Sequence, residues 1–227
     1  MAKLKHLRTQ QVKHYFGDFK YREGHEGRII QSKKFLKNIV EVQTDLIHFK
    51  FHVKLKKLIT AAFEEIIAYE KKTGKVLINP KDFGGSFVPR HIHWSRKRPL
   101  SRYSWGIAMD VNYTNNLKNS LYKRRLNLGA HSWQPHRLKQ IMAKYGFEWG
   151  GNWRSYKDGM HFEFANIALL KSGKIPYSTY KKRYFVNDTE IESLTLKNIA
   201  YALNKSNVLV AKAIDTKTRS KLYVHPL

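Results

Sequence analysis

The sequence predicts an α+β fold in which a small antiparallel sheet is flanked by helices. Three stretches alternate apolar and polar residues as strands do, at 39–53, 107–112 and 161–165. Two others, 55–72 and 135–145, place apolar residues at helical spacing and so predict amphipathic helices. With 42% hydrophobic residues, the chain has enough apolar material to bury a core.

The domain organisation follows from length and local composition. The 227 residues suit one domain with a small appendage. We predict a basic N-terminal arm at 1–37, a main domain at 38–180 and a small C-terminal α/β module at 181–227, which is either an extension packed on the main domain or an independent module. The predicted elements of this module are a strand at 184–186, a helix carrying Leu196, Ile199, Ala200 and Leu203, and a hairpin of 208–214 and 222–224.

Charge is the unusual feature of the composition. The chain has 43 Lys and Arg against 17 Asp and Glu, which gives a formal net charge of +26. Such a surface favours polyanions: nucleic acid, anionic membranes or anionic cell-wall polymers. No recognised nucleic-acid-binding motif accompanies the charge. The chain has no cysteine, so thiolate sites are excluded and any metal must be bound by histidine or oxygen ligands.

The first twenty residues are basic but contain no apolar run, which argues against a secretory signal peptide. No stretch is long enough to predict a membrane span. We therefore expect a protein made in the cytoplasm, and an action outside the cell would need another route of release.

The predicted strands fix which side chains share a face. In 107–112, Asp110 lies on the same face as the small Ala108, which leaves room around the carboxylate. In 161–165, His161 and Glu163 face one way, opposite to the phenylalanines. In 39–53, His48 and His52 lie on the polar face, so we predict that both are exposed.

Asp158 precedes His161 by three residues, next to a predicted strand. A hydrolytic zinc site uses three protein ligands and keeps one position for water, and a nearby carboxylate that is not a ligand transfers the proton. His161 and Asp158 fit these two roles. Taken alone, such a pair is more often a surface pair.

Two longer motifs give the pair a context. Residues 101–110 read SRYSWGIAMD, and 149–153 read WGGNW, followed by DGMH at 158–161. These motifs resemble those of the D-alanyl-D-alanine carboxypeptidase family of zinc peptidases, Ser-x-His-x-x-Gly-x-Ala-x-Asp and Trp-Gly-Gly-x-Trp followed by Asp/Glu-x-x-His. Within that family, the sequence looks similar to the L-alanyl-D-glutamate endopeptidases of phage endolysins and bacterial autolysins. The resemblance covers roughly residues 38–166.

The resemblance implies a role for each matching residue. Asp110 and His161 would be zinc ligands, and Asp158 would act first as general base and then as general acid. Arg90, in the segment FVPR at 87–90, would stabilise the oxyanion that develops on the scissile carbonyl. Ser101 would help to position the substrate, and Trp153 would shape the substrate-binding cleft.

Tyr103 departs from the family pattern, because the family has a histidine ligand at this position. Three interpretations remain open. The chain is an inactive form, natural or engineered; or Tyr103 binds zinc as a phenolate; or another histidine replaces the missing ligand. The candidates for such a replacement are His91, His93, His131 and His136.

These observations predict a zinc-dependent peptidoglycan peptidase that hydrolyses a stem-peptide bond. We expect a monomer that acts on peptidoglycan, is held on anionic wall polymers by its charge, and reaches the wall after release of the phage-lysis type. The first alternative is a catalytically inactive wall-binding protein on the same fold, because Tyr103 replaces a ligand histidine. If residues 181–227 form an independent module, we expect that module to bind the wall. The second, a nucleic-acid-binding protein, rests on charge and aromatic content alone.

Overall fold

The structure is a computed structural model that describes residues 4–113, 134–154, 157–179, 183–186, 189–191, 211–214 and 221–224. It divides into two compact units, Met1–Pro176 and Tyr177–Leu227. In the first unit the helices are α1 (Thr9–Phe16), α2 (Lys33–Leu36), α3 (Lys56–Thr73), α4 (His136–Lys144) and α5 (Ile167–Ser172). Its strands are β1 (Tyr21–Glu23), β2 (Ile29–Gln31), β3 (Ile39–Gln43), β4 (His48–His52), β5 (Phe83–Gly85), β6 (Ala108–Val111), β7 (Phe147–Trp149) and β8 (His161–Phe164).

The central element of the first unit is an antiparallel sheet with strand order β5-β6-β8-β7. Two hairpins, β1-β2 and β3-β4, form separate two-stranded sheets. Strands and helices together confirm the predicted α+β class. The long helix α3 and the helix α4 lie where their apolar spacing predicts them, and α3 ends at Gly74, whose left-handed φ of 69° suits a residue without Cβ.

One continuous core joins the sheet to the helices. Side chains from β6 and β8 that point away from Asp110 and His161 are completely buried, as the alternation predicts. They pack with one face of α3 and one face of α4. The largest buried side chains are Trp105, Tyr145, Phe16, Phe51, Phe63, Phe147, Phe162 and Phe164.

The predicted N-terminal arm is structured in the region described, from residue 4 onward. Val12 and Phe16 on α1 are buried in the core, and Trp105 donates a hydrogen bond from Nε1 to the Gly17 carbonyl at 2.8 Å. His52 was predicted at the surface, and that prediction is wrong: it is 1% exposed and its Nε2 donates to the Phe16 carbonyl at 3.1 Å. The reason is that α1 covers the hairpin from which His52 projects.

The second unit contains the strands β9 (Arg183–Val186), β10 (Thr189–Ile191), β11 (Ala211–Ile214) and β12 (Lys221–Val224). They form an antiparallel sheet with order β10-β9-β11-β12. The predicted hairpin is confirmed in the pairing of β11 with β12. The helix predicted around Leu196–Leu203 lies outside the described residues. Among the helices of the described ranges, none is long and apolar enough to cross a membrane.

Candidate metal centre

The register of β6 and β8 sets the position of two predicted ligands. Asp110 pairs directly with His161 across the sheet, so the two side chains project from the same face. Asp110 Oδ1 lies 3.4 Å from His161 Nδ1. Gly84 on the adjacent strand leaves space for this carboxylate, because a Cβ at residue 84 would lie 2.8 Å from the Asp110 Cβ.

A short turn at Gly150–Asn152 brings Asp158 to the same place. The Asp158 backbone N–H donates to the Gly150 carbonyl at 3.1 Å. Ligand atoms of Asp110, Asp158 and His161 all lie within 4.8 Å of one another. Gly150 is required for this approach, since a Cβ there would lie 2.6 Å from the Asp158 carbonyl oxygen.

Asp158 is a largely buried carboxylate with unused capacity to accept hydrogen bonds. Its Oδ1 is inaccessible to solvent and has no hydrogen-bond partner within the described ranges. Burial raises the pKa of Asp158 above its ordinary value; the positive charge of His161 opposes this rise, and the negative charge of Asp110 adds to it. A carboxylate whose pKa lies above the ordinary value of 3.8 is a better proton acceptor.

Tyr103 lies on the turn Arg102–Trp105, immediately before β6, and is 5% exposed. Its hydroxyl donates a hydrogen bond to Asp110 Oδ1 and lies 2.8 Å from His161 Nδ1. The hydroxyl has one proton, which goes to Asp110, so it accepts from the Nδ1–H of His161. Burial first, and then the Asp110 carboxylate, raise the pKa of Tyr103 well above 10, which keeps the phenol neutral in this network.

Glu163 lies behind His161 and is 1% exposed. Its Oε2 accepts from His161 Nε2 at 3.2 Å, and its Oε1 lies 2.5 Å from Nδ1 of His6. Burial alone would lower the pKa of His161, but the hydrogen bonds to Asp110 and Glu163 raise it to about 10. Burial alone would raise the pKa of Glu163, but its hydrogen bonds with His161 and His6 lower it to about 2.

The other predicted site residues surround this cluster. The Arg90 guanidinium carbon lies 5.0 Å from the centre of the Tyr103 ring, and the Arg90 carbonyl accepts from the Ser101 backbone N–H at 2.9 Å. Ser101 is buried. The Trp153 ring centre lies 5.1 Å from that of His161. Arg90 and Trp153 thus line the cluster, and Ser101 anchors the segment that carries Arg90.

Sequence reasoning did not assign a role to Glu163 or His6. For Glu163 a signal was present, since a residue two positions after His161 on a strand shares its face. For His6 there was none, because its approach depends on how the N-terminal segment crosses Glu163 and Arg102, whose guanidinium lies 3.1 Å from His6 Nε2.

Asp110 and His161 have the donor types and the spacing of zinc ligands. Ligands of tetrahedral zinc bonded at about 2.0–2.1 Å are about 3.4 Å apart, and Asp110 Oδ1 and His161 Nδ1 have that spacing. Of the spare histidines, His91 has both ring nitrogens engaged elsewhere, with Nδ1 against the Arg98 carbonyl and Nε2 3.1 Å from Glu23 Oε1. Neither His93 nor His136 belongs to the cluster that the described residues form, and His131 lies outside those residues.

Comparison with known proteins agrees with the geometry. No solved structure matches the chain. Residues 94–164, a segment that includes Tyr103, Asp110, Asp158 and His161, match the family model of D-alanyl-D-alanine carboxypeptidase.

Proposed function

We propose that this chain is a zinc-dependent peptidase that hydrolyses a peptide bond in the stem peptide of bacterial peptidoglycan. The observation that carries the proposal is the convergence of Asp110, Asp158 and His161 within a segment that matches a peptidase family. The L-alanyl-D-glutamate bond and the terminal D-alanyl-D-alanine bond are both candidate targets, as an endopeptidase or a carboxypeptidase would require.

In this proposal Asp110 and His161 hold the zinc ion, with Tyr103 as the third ligand. A bound zinc ion would lower the pKa of water and polarise the scissile carbonyl. Asp158 accepts the proton of the attacking water and delivers it to the leaving amine as the C–N bond breaks. Arg90 stabilises the negative charge that develops on the carbonyl oxygen.

Two further residues act on the geometry of the site. Trp153 packs against the imidazole of His161 and limits the space in which the substrate lies. Ser101 holds the Arg90 backbone in place through the bond from its N–H. Substrate positioning by such groups lowers the entropic part of the barrier.

Peptidoglycan and anionic wall polymers are the partners that this proposal implies. A net charge of +26 attracts polyanions, and the attraction weakens as salt shortens the Debye length, which is about 10 Å at 0.1 M. Wall binding should therefore decline between low and high salt even in the absence of catalysis. Release to the wall by phage-type lysis, a monomeric state and a wall-binding role for 181–227 belong to the same proposal.

One observation favours a second candidate, a catalytically inactive wall-binding protein. The Tyr103 hydroxyl is hydrogen-bonded to both Asp110 Oδ1 and His161 Nδ1, the two atoms directed at the metal. A neutral phenol in that position competes with zinc. The two candidates differ in zinc content and in peptide release, not in wall binding.

The test measures zinc per chain and muropeptide release for the native chain, Tyr103→His and the control Tyr177→His, which changes an exposed tyrosine. About one zinc per chain with muropeptide release by the native protein supports the peptidase. Zinc and release that occur only in Tyr103→His support the inactive binder. If the native chain, Tyr103→His and the control all lack zinc and muropeptide release, the assignment of the metal centre is wrong.

A further inference from the structure

A short backbone bridge brings a second arginine beside Arg90. The Ile29 N–H donates to the Pro89 carbonyl at 3.1 Å, and the His91 N–H donates to the Gly27 carbonyl at 2.8 Å. Arg28 and Arg90 are the directly paired residues of this antiparallel bridge. Side chains of directly paired residues project from the same face. The N-terminal segment therefore places a guanidinium next to the predicted oxyanion-binding residue.

Trp94 joins the two arginines. The guanidinium carbons of Arg28 and Arg90 each lie 5.0 Å from the centre of the Trp94 ring, within the range of a cation–π interaction. Trp94 is 42% exposed and Arg28 is also exposed. We call Arg28, Trp94 and Arg90 the arginine–tryptophan stack. Arg90 connects it to the metal centre through the Tyr103 ring.

The backbone under Trp94 is strained. His93 and Trp94 both have left-handed conformations, with φ of 53° and 56°, which side chains with a Cβ adopt only at an energetic cost. Gly27 packs against this turn so closely that a Cβ there would lie 2.2 Å from the Trp94 carbonyl oxygen. Core packing gives no reason to hold a large exposed indole in this way, whereas a binding surface does.

In the part of the chain that the structure describes, neither arginine of the stack forms an ion pair with an acid, and the charge of Arg90 lowers the pKa of Asp158 only through a longer-range interaction. Over the ranges that the structure describes, no carboxylate oxygen lies within 4.0 Å of the guanidinium of Arg28 or Arg90. The nearby Arg96, in contrast, lies 3.6 Å from Glu23. Two adjacent guanidinium groups without an anion form a site for one, because their planar N–H donors match a carboxylate or a phosphate.

We propose that Arg28 and Trp94 form a substrate subsite beyond Arg90 that binds a carboxylate of the peptide. The inference rests on the proposed function for its substrate class. A peptide whose scissile carbonyl lies at Arg90 places its neighbouring side chain along the stack. There Arg28 binds the carboxylate, and the indole contacts the methylene groups of the same residue.

The experiment uses a matched pair of peptides and the full-length chain treated with chelator, so that binding is measured without cleavage. One probe is L-Ala-γ-D-Glu-L-Lys-amide with a free α-carboxylate on the glutamate, and the other carries a carboxamide at that position. Isothermal titration calorimetry at low salt measures both on the native chain, Arg28→Gln and Arg22→Gln. The last variant removes one exposed positive charge from the neighbouring strand β1 and serves as the control.

We expect the carboxylate peptide to bind the native chain and Arg22→Gln about 10- to 100-fold more tightly than the carboxamide, as a charged hydrogen bond predicts. In Arg28→Gln this preference disappears. An equal loss in both variants would show a general charge effect, and retention in Arg28→Gln would show another site. Either result overturns the subsite. Displacement of the peptide by glycerol phosphate at equal concentration would instead indicate a site for phosphate-bearing wall polymers, which also overturns it.

The result is separable from that for the proposed function. If peptide binding depends on Arg28 but neither the native chain nor Tyr103→His releases muropeptides, the result supports the subsite and refutes the peptidase function. If the native chain and Arg28→Gln release muropeptides with the same KM, the result supports the peptidase function and refutes the subsite.

Discussion

Replacement of Glu163 by glutamine tests how the metal centre is held in place. Glu163 is 1% exposed and accepts from His161 Nε2 at 3.2 Å, while its other oxygen lies 2.5 Å from His6 Nδ1. Glu163→Gln preserves the shape of the side chain and removes its charge. The amide keeps one oxygen that accepts a hydrogen bond, but it presents an NH₂ donor where the second carboxylate oxygen accepts one.

The magnitude follows from the pKa of Glu163, which is lowered from 4.5 to about 2 in the folded protein. Each pKa unit is worth about 1.4 kcal/mol, so the ionised carboxylate contributes up to about 3 kcal/mol to the free energy of unfolding. Because the folded-state pKa is the lower one, this stabilisation is complete above pH 4.5 and is lost as the pH falls from 4.5 to 2. At pH 7, Glu163→Gln should therefore lose up to about 3 kcal/mol.

The same substitution should weaken zinc binding. A carboxylate that accepts from the second nitrogen of a metal-binding histidine orients the ring, and loss of such a partner typically costs about 10- to 100-fold in metal affinity. Urea denaturation of the chelator-treated chain and zinc titration against a competing chelator measure the two effects separately. The titration is made in the native and Tyr103→His backgrounds.

The control is Glu41→Gln, which removes a carboxylate that is 53% exposed and should change stability by less than about 1 kcal/mol. The reasoning is refuted if Glu163→Gln matches this control in both stability and zinc affinity. A loss of stability without a loss of zinc affinity would show that Glu163 supports the fold but does not orient His161.

Two further predictions concern the framework of the site. Burial lowers the pKa of His52 from 6.5 to about 4. Between these pH values the unfolded chain binds a proton at His52 and the folded chain does not. The free energy of unfolding should therefore fall by about 3 kcal/mol as the pH decreases from 6.5 to 4. In His52→Gln this part of the pH dependence should vanish from urea denaturation curves, and an unchanged slope would contradict the assignment. Gly150→Ala introduces a Cβ 2.6 Å from the Asp158 carbonyl and 3.2 Å from the His161 Cβ, so it should destabilise the chain by about 1–3 kcal/mol and weaken zinc binding. An unchanged Tm together with native zinc affinity would show that the turn tolerates a side chain.

The centre of the site was predicted mainly from the resemblance to the peptidase motifs, and strand periodicity added the face of each strand from which Asp110 and His161 project. Alternation placed Asp110 and His161 each on the polar face of a buried strand, and the sheet pairs the two residues directly. The approach of Asp158 followed from the motif and not from periodicity. In the structure it depends on the Gly150 turn, whose conformation is a local feature of a glycine pair.

The role of the N-terminal segment was not predictable from periodicity. Its helix α1 and hairpin β1-β2 are short, and their few apolar side chains lie among charges, below the length at which a pattern becomes clear. His52 shows the consequence: alternation placed it on a polar face, but that face is covered by α1 through the Phe16 carbonyl. Which face is solvated is a property of tertiary packing, and strand alternation alone does not contain it.

The same segment changes how the metal centre is understood. The family match begins at residue 94, yet His6 contacts Glu163 and Arg28 pairs with Arg90 from outside the matched region. Glutamate and arginine residues that act directly on the site are thus positioned by a part of the chain that precedes the peptidase motifs. If the proposed subsite is correct, part of the substrate specificity depends on Arg28 and therefore on this N-terminal segment.

In the proposed mechanism, Tyr103 determines whether Asp110 and His161 can bind zinc. Its hydroxyl lies 2.8 Å from His161 Nδ1, which is shorter than the roughly 3.4 Å between two ligands of tetrahedral zinc. In the network seen here, Tyr103 and His161 Nδ1 therefore both carry protons. To act together as ligands, Tyr103 and His161 must each release a proton from a hydrogen bond within the network. A histidine at position 103 has a lone pair available in its neutral form. In the proposed mechanism, the cost of a tyrosine at this position is therefore mainly the stability of these hydrogen bonds, which the free energy of zinc binding must exceed.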